Sequence, residues 1–536
     1  MYRMTDSPDQ PTDAVIQDRV PLPGSERPAL GVRPAVASVP ADEAIEITVV
    51  LRRRAEVPES ALSRGTPLSR DELAQTYGAD PADVDLVTRT LTAAGAEVVD
   101  VDPASRRLRV AGTVGVLCRI FGTSLDVATE QEPDGTVVTY RRRTGSLSLP
   151  TTLDGVVTAV LGLDDRPQTQ TRFQVAAPAA VTTSYTPPQL AEIYQFPAGT
   201  DGTGQTVAIL ELGGGFTQAE LTTYFRSLGI TPPTVTAVGV DGGANTPEQN
   251  PNGADGEVML DIEIVGAMAP GADIVVYFAP NTDAGFLDAL SQAAHAAVTP
   301  VAISISWGQN EDAWTAQART AFDQALTDAS ALGVTVTAAA GDNGSSDGAT
   351  DGRVHTDFPA SSPHALACGG TRLDANPATG VVNSEVVWNN GVGAGATGGG
   401  VSNVFGLPSW QTTVGVPTLS GQAGRGGPGC CGERRPADRV PGTGRRSEAG
   451  IRRDQRGVPA LGRAARPDGA IAGPPVRIAP ARDLRGRRRR CGGRGIPGHH
   501  VGQQRRVPRG AGLGRLYGAR GARRGGAAHY VEVAPR

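Results

Sequence analysis

Thr206-Val207-Ala208-Ile209-Leu210-Glu211-Leu212 is an almost wholly apolar run that empties into a glycine triplet, Gly213-Gly214-Gly215. It lacks the alternation of a strand with one wet face, so it reads as a strand buried on both sides. The same pattern returns at 273–278, 301–307 and 333–340, with helical stretches between at 218–228, 256–268, 284–297 and 316–332. Strands covered on both faces and joined through helices predict the α/β class, with a doubly wound parallel sheet. Ligands of such sheets bind beyond the carboxyl ends of the strands. Glu211 ends one strand, Trp307 ends another, and Asp342 follows a third.

A different unit precedes this one, at 44–165. Residues 45–51 alternate like a strand, Ser69 caps a first helix, and Asp80 with Pro81 opens a second that runs to Ala94. Residues 97–101 and 107–110 form a hairpin around 102–105, 112–121 is helical, and 137–140 is a strand. The β-α-β-β-α-β order predicts a ferredoxin-like α+β domain. Residues 1–43 are polar and Pro-rich and read as a disordered segment, with no apolar run that would make a signal peptide or a membrane span. Residues 166–184 are a Pro/Gln/Thr-rich linker with little to pack, and so an expected processing site.

Composition breaks near residue 426. Residues 421–536 hold 27 arginines against 7 acids, a net of +20; the whole chain is −5, so residues 1–420 carry −25. Gly, Ala, Arg and Pro supply about 80 of the 116 residues in that tail, and the chain has no lysine. These are the residues whose codons are written with G and C alone, as a GC-rich gene read out of frame would give. The tail is expected to be disordered or non-native. Five cysteines, at 118, 368, 430, 431 and 491, are odd in number and lack C-x-x-C spacing, which excludes a disulfide scaffold or a zinc site; Cys118 and Cys368 read as small hydrophobes. The six histidines show no metal-ligand spacing.

The sharpest chemical signal is Asp255-Gly256-Glu257-Val258-Met259-Leu260-Asp261. On a helix, Glu257 and Asp261 stack on one face one turn apart. Buried, one of them protonates first and the pair can serve as a base oriented by a second carboxyl. Solvated, they are an acidic helix start favoured by the macrodipole. Asp342, in Gly341-Asp342-Asn343-Gly344, reads either as a turn residue or as a protonated carboxyl donating to a developing oxyanion. Gly213–Gly215 and Gly398–Gly400 fit no phosphate-loop pattern.

Taken together and in order, these segments resemble the sedolisin (serine-carboxyl) peptidases of the kumamolisin type. The matching stretches are 208–216, 251–261, 269–272, 277–286, 303–308, the Asp342 loop, 367–371, 398–402 and 408–411, and the unit at 44–165 looks like the family's activation prodomain. The resemblance implies a subtilisin-like fold over 185–426, acid-acting endopeptidase activity, synthesis as a zymogen, an extracellular location and a monomer. Its partners are protein or peptide substrates and its own prodomain, with no membrane and no nucleic acid. Carried over, Glu257 is the general base, Asp261 its orienting partner and Asp342 the oxyanion donor, with Glu211 and Trp307 extending the network behind them. The family also has a nucleophile in G-T-S-x-x-x-P and an Asp- and Gly-rich calcium site. Neither is found here: after Gly424-Arg425-Gly426 the chain reads Gly427-Pro428-Gly429-Cys430-Cys431, and the only serine after Ser420 is Ser447. Three readings follow. The peptidase domain is incomplete through a frameshift near codon 427, the product is a dead pseudopeptidase, or the basic cluster at Arg485 and Arg487–Arg490 binds nucleic acid or an anionic surface.

Overall fold

The computed structural model describes residues 18–28, 36–62, 66–131, 137–171, 185–250, 253–391, 394–428 and 529–531. Its central sheet runs Val235–Gly239, Asp273–Phe278, Thr206–Glu211, Ala302–Ile305, Thr335–Ala339, Leu366–Ala375, Val382–Val387. Neighbours are parallel up to Leu366–Ala375, and the last pair is antiparallel. Successive residues of the Thr206–Glu211 strand feed two cores. Val207 and Ile209 pack with the helices Gln218–Ser227 and Ala254–Met268. Ala208 and Leu210 pack with Asp283–Ala294 and Ala316–Ala331. Both faces are dry, which is why the run carries no alternation.

The 301–307 run divides. Ala302–Ile305 stays in the central sheet, while Trp307–Asn310 lies between Gln170–Thr171 and Asp357–Phe358 in a second sheet. Three strands that the apolar pattern did not single out, Val235–Gly239, Leu366–Ala375 and Val382–Val387, sit toward the sheet's edges and carry exposed positions.

The N-terminal unit has a four-stranded antiparallel sheet ordered Glu97–Asp102, Arg107–Thr113, Ala44–Leu51, Val157–Leu161. This is the ferredoxin-like order with one correction: the fourth strand is Val157–Leu161. Val137–Arg142 pairs instead with Asp126–Gln131, in a separate sheet completed by Ala37–Ser38. Val157–Leu161 buries nearly every residue and suits the packed sheet, whereas Val137–Arg142 keeps exposed positions. Both helix starts form as read: Ser69 makes a capping box with Glu72, and Asp80 accepts from the Ala82 N–H ahead of a Pro81 start.

Two segments expected to be loose are packed where they are described. Arg19–Pro21 pairs with Ser148–Pro150, and Arg27 is buried 3.1 Å from Asp283. At the start of the linker Gln168 and Thr169 are buried, and their main chain finds partners on the C-terminal α/β unit. Residues 1–17 and 172–184 lie outside the described residues. So does most of the tail, including Cys430, Cys431, Cys491 and the arginine cluster. Beyond Pro428 its described portion, His529–Val531, runs parallel to Gly369–Thr371.

The N-terminal unit rests on the helices Asp283–Ala294 and Ala316–Ala331, where Val50, Leu73, Ala159 and Leu161 share one buried cluster with them. Ion pairs stud this contact. Asp328 takes Arg53 at 2.7 Å and Arg106 at 2.8 Å, all three nearly dry. Asp288 takes Arg107 and the Thr48 hydroxyl. Removing the shared carboxylate strands two buried guanidiniums, so Asp328→Asn should cost about 3–5 kcal/mol of stability. Chemical denaturation, with the exposed Asp71→Asn as control, measures it.

Candidate active site

The helix Ala254–Met268 is hemmed in by neighbours and apolar on nearly every side, yet it carries Glu257 at 1% and Asp261 at 6% exposure. The solvated-helix-start reading of this pair therefore fails. Both carboxyls are interior. The helix begins at Gly253 without a side-chain cap. Asp255 in its first turn faces back instead: Oδ1 accepts the Gly215 N–H at 2.9 Å, and Oδ2 accepts those of Glu248 and Asn250 at 2.9 and 3.0 Å. Sequence reasoning passed over Asp255, whose signal was only its neighbourhood. It binds the glycine triplet to the helix start. Gly214 has φ +67°, and a Cβ there would lie 2.6 Å from the Ala254 carbonyl carbon. Close approach, not phosphate binding, explains that triplet.

The division of the 301–307 run places two consecutive side chains on two acids. Ser306 Oγ donates to Asp261 Oδ2 at 2.7 Å, and Trp307 Nε1 donates to Glu211 Oε2 at 2.8 Å. Ser306 is a second residue that the sequence reading missed. Burial pushes the Asp261 carboxyl up to about 6, against the pull of the Ser306 hydroxyl. Glu211, fully buried, is raised well above the usual carboxylate range by burial and then by the neighbouring Asp261 charge, with the Trp307 indole opposing. The two acids repel each other's ionisation and share their protons as a pair.

Asp342 stands apart from this pair. It follows the strand Thr335–Ala339, two strands over from Glu211, and is half-buried in its turn. The turn enters through Gly341 at φ +94°, and the Asp342 carbonyl accepts the Ala396 N–H at 2.9 Å. Gly398 backs it so closely that a Cβ would lie 1.8 Å from the Ala340 oxygen, so this glycine run too is a packing device. Cys368 is buried within the strand Leu366–Ala375, and burial pushes its thiol up to about 12, which keeps it unreactive. Among the described residues no three or more His, Cys, Asp or Glu side chains gather to hold a metal, and no helix is long and apolar enough to cross a membrane.

A carboxyl whose folded pKa is raised binds its proton more tightly than in the unfolded chain. Its contribution to stability is therefore present in acid and falls as pH rises toward and through about 6. Ser306→Ala removes the donor that opposes this shift. It should move the Asp261 titration above 6 and steepen the loss of Tm between about pH 4 and 7. Thermal melts across that range check both.

Residues 35–166 match the family model described as "Pro-kumamolisin, activation domain". The chain is 44% identical over 422 residues to kumamolisin from Bacillus sp. (strain MN-32), a match spanning 74% of this chain and 75% of the relative. It is 26% identical over 455 residues to tripeptidyl-peptidase sed5 from Aspergillus fumigatus, over 75% and 76% of the two chains. Among solved structures, Pseudomonas sedolisin (serine-carboxyl proteinase) complexed with two molecules of pseudo-iodotyrostatin aligns at 29% identity. That alignment covers 46% of this chain and 69% of the other, with a TM-score of 0.41. From the extent of its identity to kumamolisin and the activation domain at its front, the chain belongs to the sedolisin family of serine-carboxyl peptidases, in the kumamolisin branch.

Proposed function

We propose that this chain is the zymogen of an acid-acting serine-type endopeptidase on a subtilisin-like fold, in which Glu257 is the general base, Asp261 orients it and Asp342 donates to the oxyanion. Glu211 and Trp307 extend the network behind the base. The observation that carries this reading is a pair of carboxyls one turn apart on a buried helix, one of them held by Ser306 and set against Glu211. A histidine base is protonated and idle at about pH 3–4, whereas a carboxylate is partly available there. The base takes the proton of the attacking hydroxyl. Asp342, protonated in acid, donates to the oxygen on which charge develops.

The nucleophile segment is absent from this copy, and a frameshift near codon 427 accounts for that. The packing up to the break supports it. Gly424–Gly426 is buried and pairs with the Val401–Gly406 strand, and both the N–H and the C=O of Gly426 are held by the Gln411 amide at 2.8 and 2.7 Å. The same absence favours a second reading, a catalytically dead pseudopeptidase. The family's calcium does not fit the described residues, which gather no ligand set for it, and no step is assigned to it.

As a zymogen the molecule has its own prodomain for a partner and proteins or peptides for substrates, and acts outside the cell as a monomer. Asp283 faces Arg27 of the segment that precedes the prodomain and packs on it, at 3.1 Å, and burial raises its carboxyl against that cation's pull. It therefore loses its charge early as pH falls, leaving Arg27 with Asp164, 3.8 Å away, whose carboxyl Arg166 and Arg27 hold below the usual range against the effect of burial. The contact weakens, and cleavage is expected within 166–184.

The chain as it stands should not hydrolyse casein at about pH 4, since loss of a covalent nucleophile costs many orders of magnitude. With an in-frame G-T-S segment restored it should, and Glu257→Gln or Asp261→Asn should then each lower kcat by roughly 10³-fold or more. Restored enzyme with undiminished activity in both amide variants, or a mature N-terminus outside 166–184, contradicts the assignment.

A further inference from the structure

Val157–Leu161 is the edge strand of the N-terminal unit's sheet, and side chains of the C-terminal unit take its outer peptide groups. Gln317 Oε1 accepts the Val160 N–H at 3.2 Å, and Gln317 Nε2 donates to the Val160 carbonyl at 2.9 Å. One carboxamide thus satisfies both polar groups of Val160, as a further strand would. Just past the strand, the Gly162 N–H donates to Asp283 Oδ1 at 3.0 Å. Asp283 opens the helix Asp283–Ala294, and Gln317 is the second residue of Ala316–Ala331; both side chains are buried.

The segment 18–28 returns to the same two residues. The Gly24 carbonyl accepts the Gln317 N–H at 2.9 Å, a group that a helix start leaves without an internal partner. Three residues on, Arg27 meets Asp283 Oδ2 at 3.1 Å, with Gln168 and Asp164 as further partners at 3.3 and 3.8 Å. Gly24 has φ +74°, and a Cβ there would lie 3.0 Å from both the Ala316 Cβ and the Gln317 nitrogen, so this approach needs glycine. The rest of the segment is built into the N-terminal unit. Arg19–Pro21 pairs with Ser148–Pro150, Leu22 lies in that unit's core, and Ser25 Oγ accepts the Leu147 N–H at 2.9 Å. All of it precedes residues 35–166, the stretch that matches the activation domain.

We propose that residues 18–28 are a clasp: together with the sheet edge at Val160 and Gly162 they grip Gln317 and Asp283 from two sides, and the contact between the two units opens only when this grip does. The partner that fits the Gln317–Asp283 surface is a sheet edge carried together with a glycine-bearing strap, and this chain's own N-terminal unit supplies both. The inference rests on the zymogen reading above, in which that unit must leave. A clasp implies coupling that separate packing contacts lack. Disturbing the strap at Gly24 has to loosen Val160 and Gly162, whose amides are held by other groups.

Hydrogen exchange on the full chain reads this coupling. Gln317→Leu should speed exchange at the Val160 amide by about tenfold. Gly24→Val should speed it by about tenfold at Gln317 and by about threefold or more at Val160 and Gly162. The amides that pair Ala44–Leu51 with Arg107–Thr113 should keep their protection, since they lie within the N-terminal unit. Where Gly24→Val also exposes that pairing, Arg27→Gln gives the reading instead, with a rise of about threefold or more expected at Gly162 and Val160. Unchanged exchange at Val160 and Gly162 in the strap variant that is read, or at Val160 in Gln317→Leu, overturns the proposal. Turnover enters none of these readouts, so their failure is separable from failure of the peptidase reading, which casein hydrolysis and the mature N-terminus test.

Discussion

A carboxyl group without water around it keeps its charge only at a high cost, and the peptidase unit buries Glu211, Glu257 and Asp261 in one region. Their proximity raises that cost further, since the Asp261 charge discourages ionisation of Glu211. For Glu211 and Asp261 burial favours the protonated form, so this pair is accommodated most readily at low pH. The surrounding fold maintains the condition. Buried apolar residues flank the acids on the Ala254–Met268 helix, the sheet it packs on is dry on both faces, and Ser306 and Trp307 supply the donors that hold two of the acids in place.

The contact between the N-terminal unit and the peptidase uses buried charge in the opposite way. There each acid meets a guanidinium: Asp283 with Arg27, Asp288 with Arg107, Asp328 with Arg53 and Arg106. The pairs sit beside a continuous apolar cluster, so the cluster supplies attachment while the pairs make it sensitive to the charge of the acids. Neutralising one of the coupled acids Glu211 and Asp261 relieves repulsion, whereas removing the Asp328 carboxylate strands two cations.

The linker joins these two regions. Leaving Asp164 and Arg166, it passes Asn281 and adds a short strand beside Trp307, so the segment that restrains the prodomain also lies along the approach to the acids. Composition could not show this. A Pro/Gln/Thr-rich stretch looks loose because its side chains bury little, but here its peptide groups make the contacts.

Periodicity and caps made several features legible in the chain. The unbroken apolar runs at 206–212 and 273–278, the capped helices from Ser69 and Asp80, and the four-residue spacing of Glu257 and Asp261 are local patterns, dictated by neighbours along the backbone. The composition break at 427 is equally local. Other features depended on pairings between distant residues. Val157–Leu161, not 137–140, became the prodomain's fourth strand because it had the more complete apolar face to bury. Asp255 looked like one acid among several until its two oxygens met three amides from elsewhere in the chain. Ser306 looked like a gap in an apolar run until the strand divided and set it on Asp261. Hydrogen-bond partners 40 or 45 positions apart leave no periodic trace in the sequence, so only the folded chain could assign them.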